Sequence, residues 1–187
     1  MTKFKPKIVV GLVGERLAGK GQVAQYLSKK FKFKVLTFSE PITKILAVLD
    51  LPNSRANLAN MIGGIRERFG GDVLAETLLF EIMSKKYKKA VVDGIRHPAE
   101  LERMQKVSNF ILLYITASLK TRYQRALKRG QKAGESKQSY SEFKNESRLP
   151  TEVYIARMGK KAKVKLVNEG TLAQLYKEID HNFAKLL

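Results

Sequence analysis

The chain has 187 residues, no cysteine, and 36 lysines and arginines against 17 acidic residues, for a net charge of +19. The missing cysteines exclude disulfides, thiolate nucleophiles and cysteine-ligated zinc, and His97 and His181 have no partner at a metal-ligand spacing. Apolar runs stay short of the ~18 to 20 residues a membrane span needs, so one soluble, cytoplasmic domain with a single hydrophobic core is expected.

Short β-branched runs alternate with longer helical stretches. Ile8 to Val13 reads as a buried strand and Gln22 to Phe31 as the helix after it. Val35 to Phe38 is a second strand. Ser39 then reads as an N-cap, with Pro41 in the first turn and Ile42, Ile45, Leu46 and Leu49 on one helical face that stops near Pro52. From about Ser54 a third helix carries Leu58, Met61, Ile62, Ile65 and Phe69 and ends at Gly70-Gly71. Asp72 is placed to cap the next helix, Val73 to about Lys85, which is apolar around much of its girth. Ala90 to Val92, Phe110 to Ile115 and Val164 to Val167 are strands; Ala99 to Gln105, Leu119 to Arg129 and Thr171 to Phe183 are helices. The polar segment at about 130–150 reads as a mobile stretch or lid. Such alternation argues a parallel sheet covered on both faces, with ligands at the carboxyl ends of its strands.

Chemistry-bearing residues fall at those ends. Gly14-Glu15-Arg16-Leu17-Ala18-Gly19-Lys20 matches GxxxxGK between a strand and a helix. There, backbone amides curl around phosphates, a helix dipole favours negative charge, and Lys20 meets the terminal phosphates. Gly21 and Gln22 follow where Ser or Thr would hold Mg²⁺, so direct coordination of the metal by the protein is not expected from this loop. Asp93-Gly94-Ile95-Arg96 closes the third strand; an acid there can orient a metal-bound water or an acceptor hydroxyl, and Arg96 can fork onto an acceptor phosphate. Arg55, Arg66 and Arg68 lie beside the apolar stripe of the third helix. Arg122, Arg125, Arg129 and Arg148 flank the polar segment.

These motifs resemble those of P-loop nucleoside and deoxynucleoside monophosphate kinases over nearly the whole chain. Gly21 after the lysine is similar to adenylate kinases, which normally continue with Thr. Asp93 to Arg96 resembles their Asp-Gly-aromatic-Pro-Arg motif without the proline, and the Asp-x-Arg stretch of deoxynucleoside monophosphate kinases. Phe38-Ser39-Glu40-Pro41 and Gly63 to Gly70 resemble the acceptor-binding insert of the latter. Arg125-x-x-x-Arg129 and Asn168-Glu169-Gly170-Thr171-Leu172 resemble the lid entrance and the adenine-flanking loop of dephospho-coenzyme A kinases.

The resemblance implies an α/β, three-layer P-loop kinase fold of one domain over residues 1–187. Its five-stranded parallel sheet has order 2-3-1-4-5, with an acceptor insert at about 39–86 and a lid at about 130–150. ATP and Mg²⁺ are the implied donor and cofactor. Residues Gly14 to Gln22, with Asn168 and Gly170, are expected at the donor. Ser39, Glu40, Arg66, Asp93 and Arg96 are expected at the acceptor, and Lys20, Asp93, Arg125 and Arg129 at the reacting phosphoryl. The first expectation is transfer to a (deoxy)nucleoside monophosphate. The alternatives are a dephospho-coenzyme A kinase, with Asp93 as base, and a nucleic-acid-associated P-loop ATPase suggested by the charge. Small nucleotides are thus the expected partners, weak nucleic-acid binding a further one, and a membrane is not expected.

Overall fold

The computed structural model describes residues 4–129, 139–148 and 150–183. Five parallel strands form one sheet among these residues: β1 (Ile8–Val13), β2 (Lys34–Thr37), β3 (Lys89–Asp93), β4 (Phe110–Thr116) and β5 (Val164–Val167), in the order β2-β3-β1-β4-β5. β1 is central and buried throughout, as its unbroken apolar run requires. Register pairs Leu12 and Thr37 with Asp93, and Val13 with Tyr114, so all these residues reach the same edge.

Helices cover both faces. On one side α1 (Lys20–Phe31) and α9 (Leu172–Phe183) pack Val23, Leu27, Leu175 and Ile179 against Val10, Leu12, Leu113 and Ile115. On the other side lie α2 (Ser39–Val48), α4 (Val73–Ser84), α5 (Pro98–Gln105) and α8 (Pro150–Gly159), over Val9, Val13, Leu36 and Val92. The third helix of the insert, α3 (Arg55–Phe69), lies against α2 and α4 with only partly buried apolar residues. Helix α6 (Leu119–Arg129) follows β4, and α7 (Tyr140–Glu146) precedes α8.

The structure differs from the sequence reading in four places. Asp72 stands at the cap position of α4, but its side chain makes no cap hydrogen bond. Ser39 is the first residue of α2 rather than its cap: Phe38 occupies the cap position, and no side chain caps the helix. The segment expected as a lid is partly helical, because Ser139 and Glu142 form a reciprocal capping box that starts α7. Residues 130–138 and 149 of that segment lie outside the described residues. Finally, α8 fills a stretch left unassigned by periodicity. Ile155 and Met158 are almost fully buried beneath the sheet, contributing about 1.5–3 kcal/mol each. Glu152 precedes Ile155 by three residues and so shares its inward face.

Candidate active site

The turn after β1 is shaped by contacts that admit no side chain. A β-carbon on Gly14 would lie 2.1 Å from the carbonyl oxygen of Ile115. Gly19 has φ of 109°, and a β-carbon there would lie 2.3 Å from Asn168 Nδ2. Leu17 also adopts a left-handed φ of 64°. The turn feeds straight into α1, whose first residue is Lys20, so the lysine leaves from a helix N-terminus. Its Nζ donates to the carbonyl oxygens of Gly14 at 2.7 Å and Glu15 at 3.0 Å. Desolvation, followed by the positive charge of Arg96, lowers its pKa to about 8; Asp93, Glu152 and Glu15 oppose the shift.

Two distant residues brace this turn from the carboxyl-terminal half of the chain. The buried Asn168 donates from Nδ2 to the Ala18 carbonyl at 2.8 Å. Arg125, from α6, donates from Nη2 to the Asn168 carbonyl at 2.8 Å and from Nη1 to the Leu17 carbonyl at 3.2 Å. Nη1 of Arg125 is thus engaged by the loop backbone and Nη2 by that of Asn168, which meets the loop through its side chain. Arg122 is buried and donates from Nε to the Ala117 carbonyl at 3.1 Å, inside α6's own entry turn. Arg129 ends α6, and its side chain lies outside the described ones. Arg16 pairs with Glu146 and stands over the Phe143 ring, 5.5 Å from its centroid, tying the turn to α7.

Asp93 closes β3 beside the turn. Burial raises its pKa, against the opposing pull of Lys20 and Arg96, and its Oδ1 is buried without a hydrogen-bond partner. Gly94, at φ 95°, turns the chain away so that Arg96 stands exposed. Arg96 Nη1 lies 3.4 Å from Glu152 Oε1, while Glu152 Oε2 is buried and unpartnered. Glu15 accepts from the Tyr114 hydroxyl through Oε1 and leaves Oε2 buried without a partner. Tyr114 is held near a pKa of 12 by burial and by that carboxylate.

The loop after β3 is organised by a fully buried carboxylate. Glu100 Oε2 accepts from the backbone amides of Arg96 and His97, each at 3.1 Å, and Glu100 Oε1 accepts from Arg66 Nη2. The Nε of Arg66 is buried with no partner. One side chain therefore fixes Arg66 of the insert relative to the loop that presents Arg96. A buried charge so placed is retained only because its partners satisfy it. Ser39 and Glu40 are exposed at the end of β2; Ser39 Oγ lies 3.4 Å from Thr37 Oγ1, and Glu40 pairs with Lys44 at 2.9 Å. Gly170 packs on Gln174, and Glu169 caps the start of α6 through Ser118 and Thr121.

The phosphate-loop residues, Asp93 and Arg96 thus meet at one edge, and Arg66 joins them through Glu100. Glu100 and Glu152 were missed by the sequence reading. His97-Pro98-Ala99-Glu100 is a capping box with proline at the first position, a readable signal for the first. The spacing of Glu152 from Ile155 and Met158 could have shown the second.

A protein-family model described as "AAA domain" matches residues 10–149. The chain belongs to this family. Among curated relatives of this AAA-domain chain, a UPF0200 protein of Methanococcus maripaludis is 22% identical over 182 residues, covering 96% of this chain and 97% of its own. A UPF0200/UPF0201 protein of Archaeoglobus fulgidus is 29% identical over 144 residues; the match covers 75% of this chain but 44% of that longer protein. Among solved structures, a shikimate kinase from Bacteroides thetaiotaomicron superposes with a TM-score of 0.62 at 12% identity, covering 95% of this chain and 98% of its own. That likeness shows the P-loop kinase fold. No described helix is long and apolar enough to cross a membrane.

Proposed function

We propose that the chain transfers the γ-phosphoryl group of ATP to a small phosphorylated acceptor, a nucleoside or deoxynucleoside monophosphate. The observation that carries the reading is that Lys20 leaves the head of α1 from the glycine turn after β1, at the same sheet edge where Asp93 closes β3. In this reading the amides of Gly14 to Gly21 and the Lys20 ammonium hold the donor's terminal phosphates. The exposed guanidinium of Arg96 and the partly exposed one of Arg66 take the acceptor phosphate, with Ser39 and Glu40 bordering it. Arg125 keeps the loop shaped, so that positioning and charge neutralisation supply most of the rate. Gly21 offers no hydroxyl to a magnesium ion, but the unpartnered oxygens of Asp93 and Glu152 fit its bound waters. When bound, the ion would neutralise charge on the bridging phosphates.

A second reading, transfer to a hydroxyl as in the dephospho-coenzyme A kinases, is favoured by Asp93 itself. A buried carboxylate with raised pKa and a free oxygen suits a general base, which a phosphate acceptor does not need. A coupled ADP-release assay over nucleoside monophosphates and dephospho-coenzyme A, run on the native chain and on Asp93→Asn, separates the two. The variant should lose about 10²–10⁴-fold in turnover with a hydroxyl acceptor and far less with a phosphate acceptor. No acceptor-dependent ADP release, together with no measurable association of ATP, would end the phosphotransfer reading.

A further inference from the structure

In a parallel sheet every strand begins at the edge opposite the P-loop. Here that edge is basic along its whole width. A lysine opens or closely precedes each strand: Lys7, Lys34, Lys89, Lys106 and Lys163. No acidic residue occurs between Arg16 and Ser39, between Ile82 and Val92, or between Val153 and Asn168. The sheet order sets the first two of these stretches side by side, entering β2 and β3, and the third at the other end of the same edge, entering β5.

A shallow pocket of about 350 Å³ opens at the β2–β3 end of this edge, lined by Lys32, Lys34, Lys86, Tyr87, Lys88 and Lys89. Lys34 Nζ lies 5.7 Å from the Tyr87 ring centroid, and Lys89 Nζ donates to the Phe31 carbonyl at 3.3 Å. None of the five lysines forms an ion pair among the described residues, whereas Lys30, in the last turn of α1, is matched by Asp180. Lys32 and Lys86 adopt left-handed φ values of 61° and 54° just past the ends of α1 and α4. Glycine would avoid the left-handed strain at each position. The attraction of an exposed cation to a helix C-terminus is smaller than that strain, so the dipole does not offset it, let alone the repulsion among the other lysines.

We propose that this edge binds the phosphate backbone of a nucleic acid. Four strand spacings span about 19 Å, a length over which duplex DNA carries roughly eleven phosphate charges. A single small anion would occupy one pocket and leave the rest of the row unused. A bilayer surface calls for apolar anchors among the cations. Among the described residues, none of the exposed large apolar side chains lies in the segments entering the strands. The site is separate from Lys20 and does not depend on the phosphotransfer reading.

Fluorescence anisotropy with a labelled 20-nucleotide single-stranded RNA and a 20-base-pair DNA duplex, across 50–300 mM KCl, tests the proposal. The native chain should bind at least one of them with affinity falling steeply in salt. Lys32→Glu/Lys34→Glu/Lys86→Glu/Lys88→Glu should lower affinity at least about 100-fold. It should also flatten the log–log salt slope by about 3 for the single strand or about 4 for the duplex. Reversal of Lys120, Lys128, Lys144 and Lys177, elsewhere on the surface, should retain most of the slope. ATP association should be unchanged in every variant, and a matching Lys→Ala set with its thermal melt answers the question if the reversed protein fails to fold. Equal binding by the edge variants and the native chain overturns the proposal. So does capture by phosphatidylserine vesicles without nucleic-acid binding, or no binding to either nucleic acid at 100 mM KCl.

Discussion

Replacing Lys20 with methionine should abolish triphosphate binding and yet make the free protein more stable. The ammonium is desolvated in the turn after β1 and repelled by Arg96, which together bring its pKa from 10.5 to about 8. At about 1.4 kcal/mol per pKa unit, the charged form costs the fold about 3 kcal/mol. Partial exposure of the side chain, and loss of its bonds to the Gly14 and Glu15 carbonyls, reduce the gain from removing it to about 1.5 kcal/mol. For a chain of this size that is about 3–6 °C in Tm. The pH dependence gives the sharper readout. Between about 8 and 10.5 the unfolded chain holds a proton at Lys20 that the folded chain releases, so native stability should climb with pH across that window. Lys20→Met should lack this climb. Urea or thermal melts at pH 7 and pH 10, with ATP titration by calorimetry, measure both effects. A variant less stable than the native chain at pH 7, or one with the same pH slope, would refute the reasoning.

Two glycines in the same turn should behave oppositely. Gly19→Ala meets Asn168 Nδ2 and a left-handed backbone at once, so ATP affinity should fall at least about 10-fold with a loss of about 2 kcal/mol in stability. Gly21→Ser enters open space in a helix; it should cost nothing in a melt and lower the magnesium concentration needed for half-maximal activity. Glu100→Gln removes the buried carboxylate that accepts from the partly exposed Arg66 and from two backbone amides, which should cost about 1.5–3 kcal/mol in urea unfolding. Where the variant remains folded, KM for the acceptor should rise while KM for ATP stays within about twofold.

Much of this architecture could be read from residue order alone. The buried run Ile8 to Val13, the glycines at 14 and 19 and the helix after them form a local unit, and local signals carry it. The strand order came from family resemblance and agrees with the observed sheet. The unread parts depend on contacts between distant residues. Nothing near Arg66 announces that its guanidinium meets Glu100, 34 residues away, and nothing near Arg16 points to Glu146, 130 residues on. Helices α7 and α8 were hidden for another reason: their polar flanks read as loop, although Ser139 to Glu142 and Pro150 carry start signals. Glu152 went unnoticed because its importance comes from the face of α8 that happens to turn inward.

The braces on the phosphate loop also set an order of events during synthesis. Residues 14 to 20 emerge from the ribosome early, but the amide of Asn168 and the guanidinium of Arg125 that grip their carbonyls follow much later. At ordinary elongation rates the wait for Asn168 is roughly 10 to 30 s. Until then nucleotide has no finished cradle to occupy, so under the proposed function ATP would support only the last stage of folding and would not serve as a template for the nascent amino-terminal half.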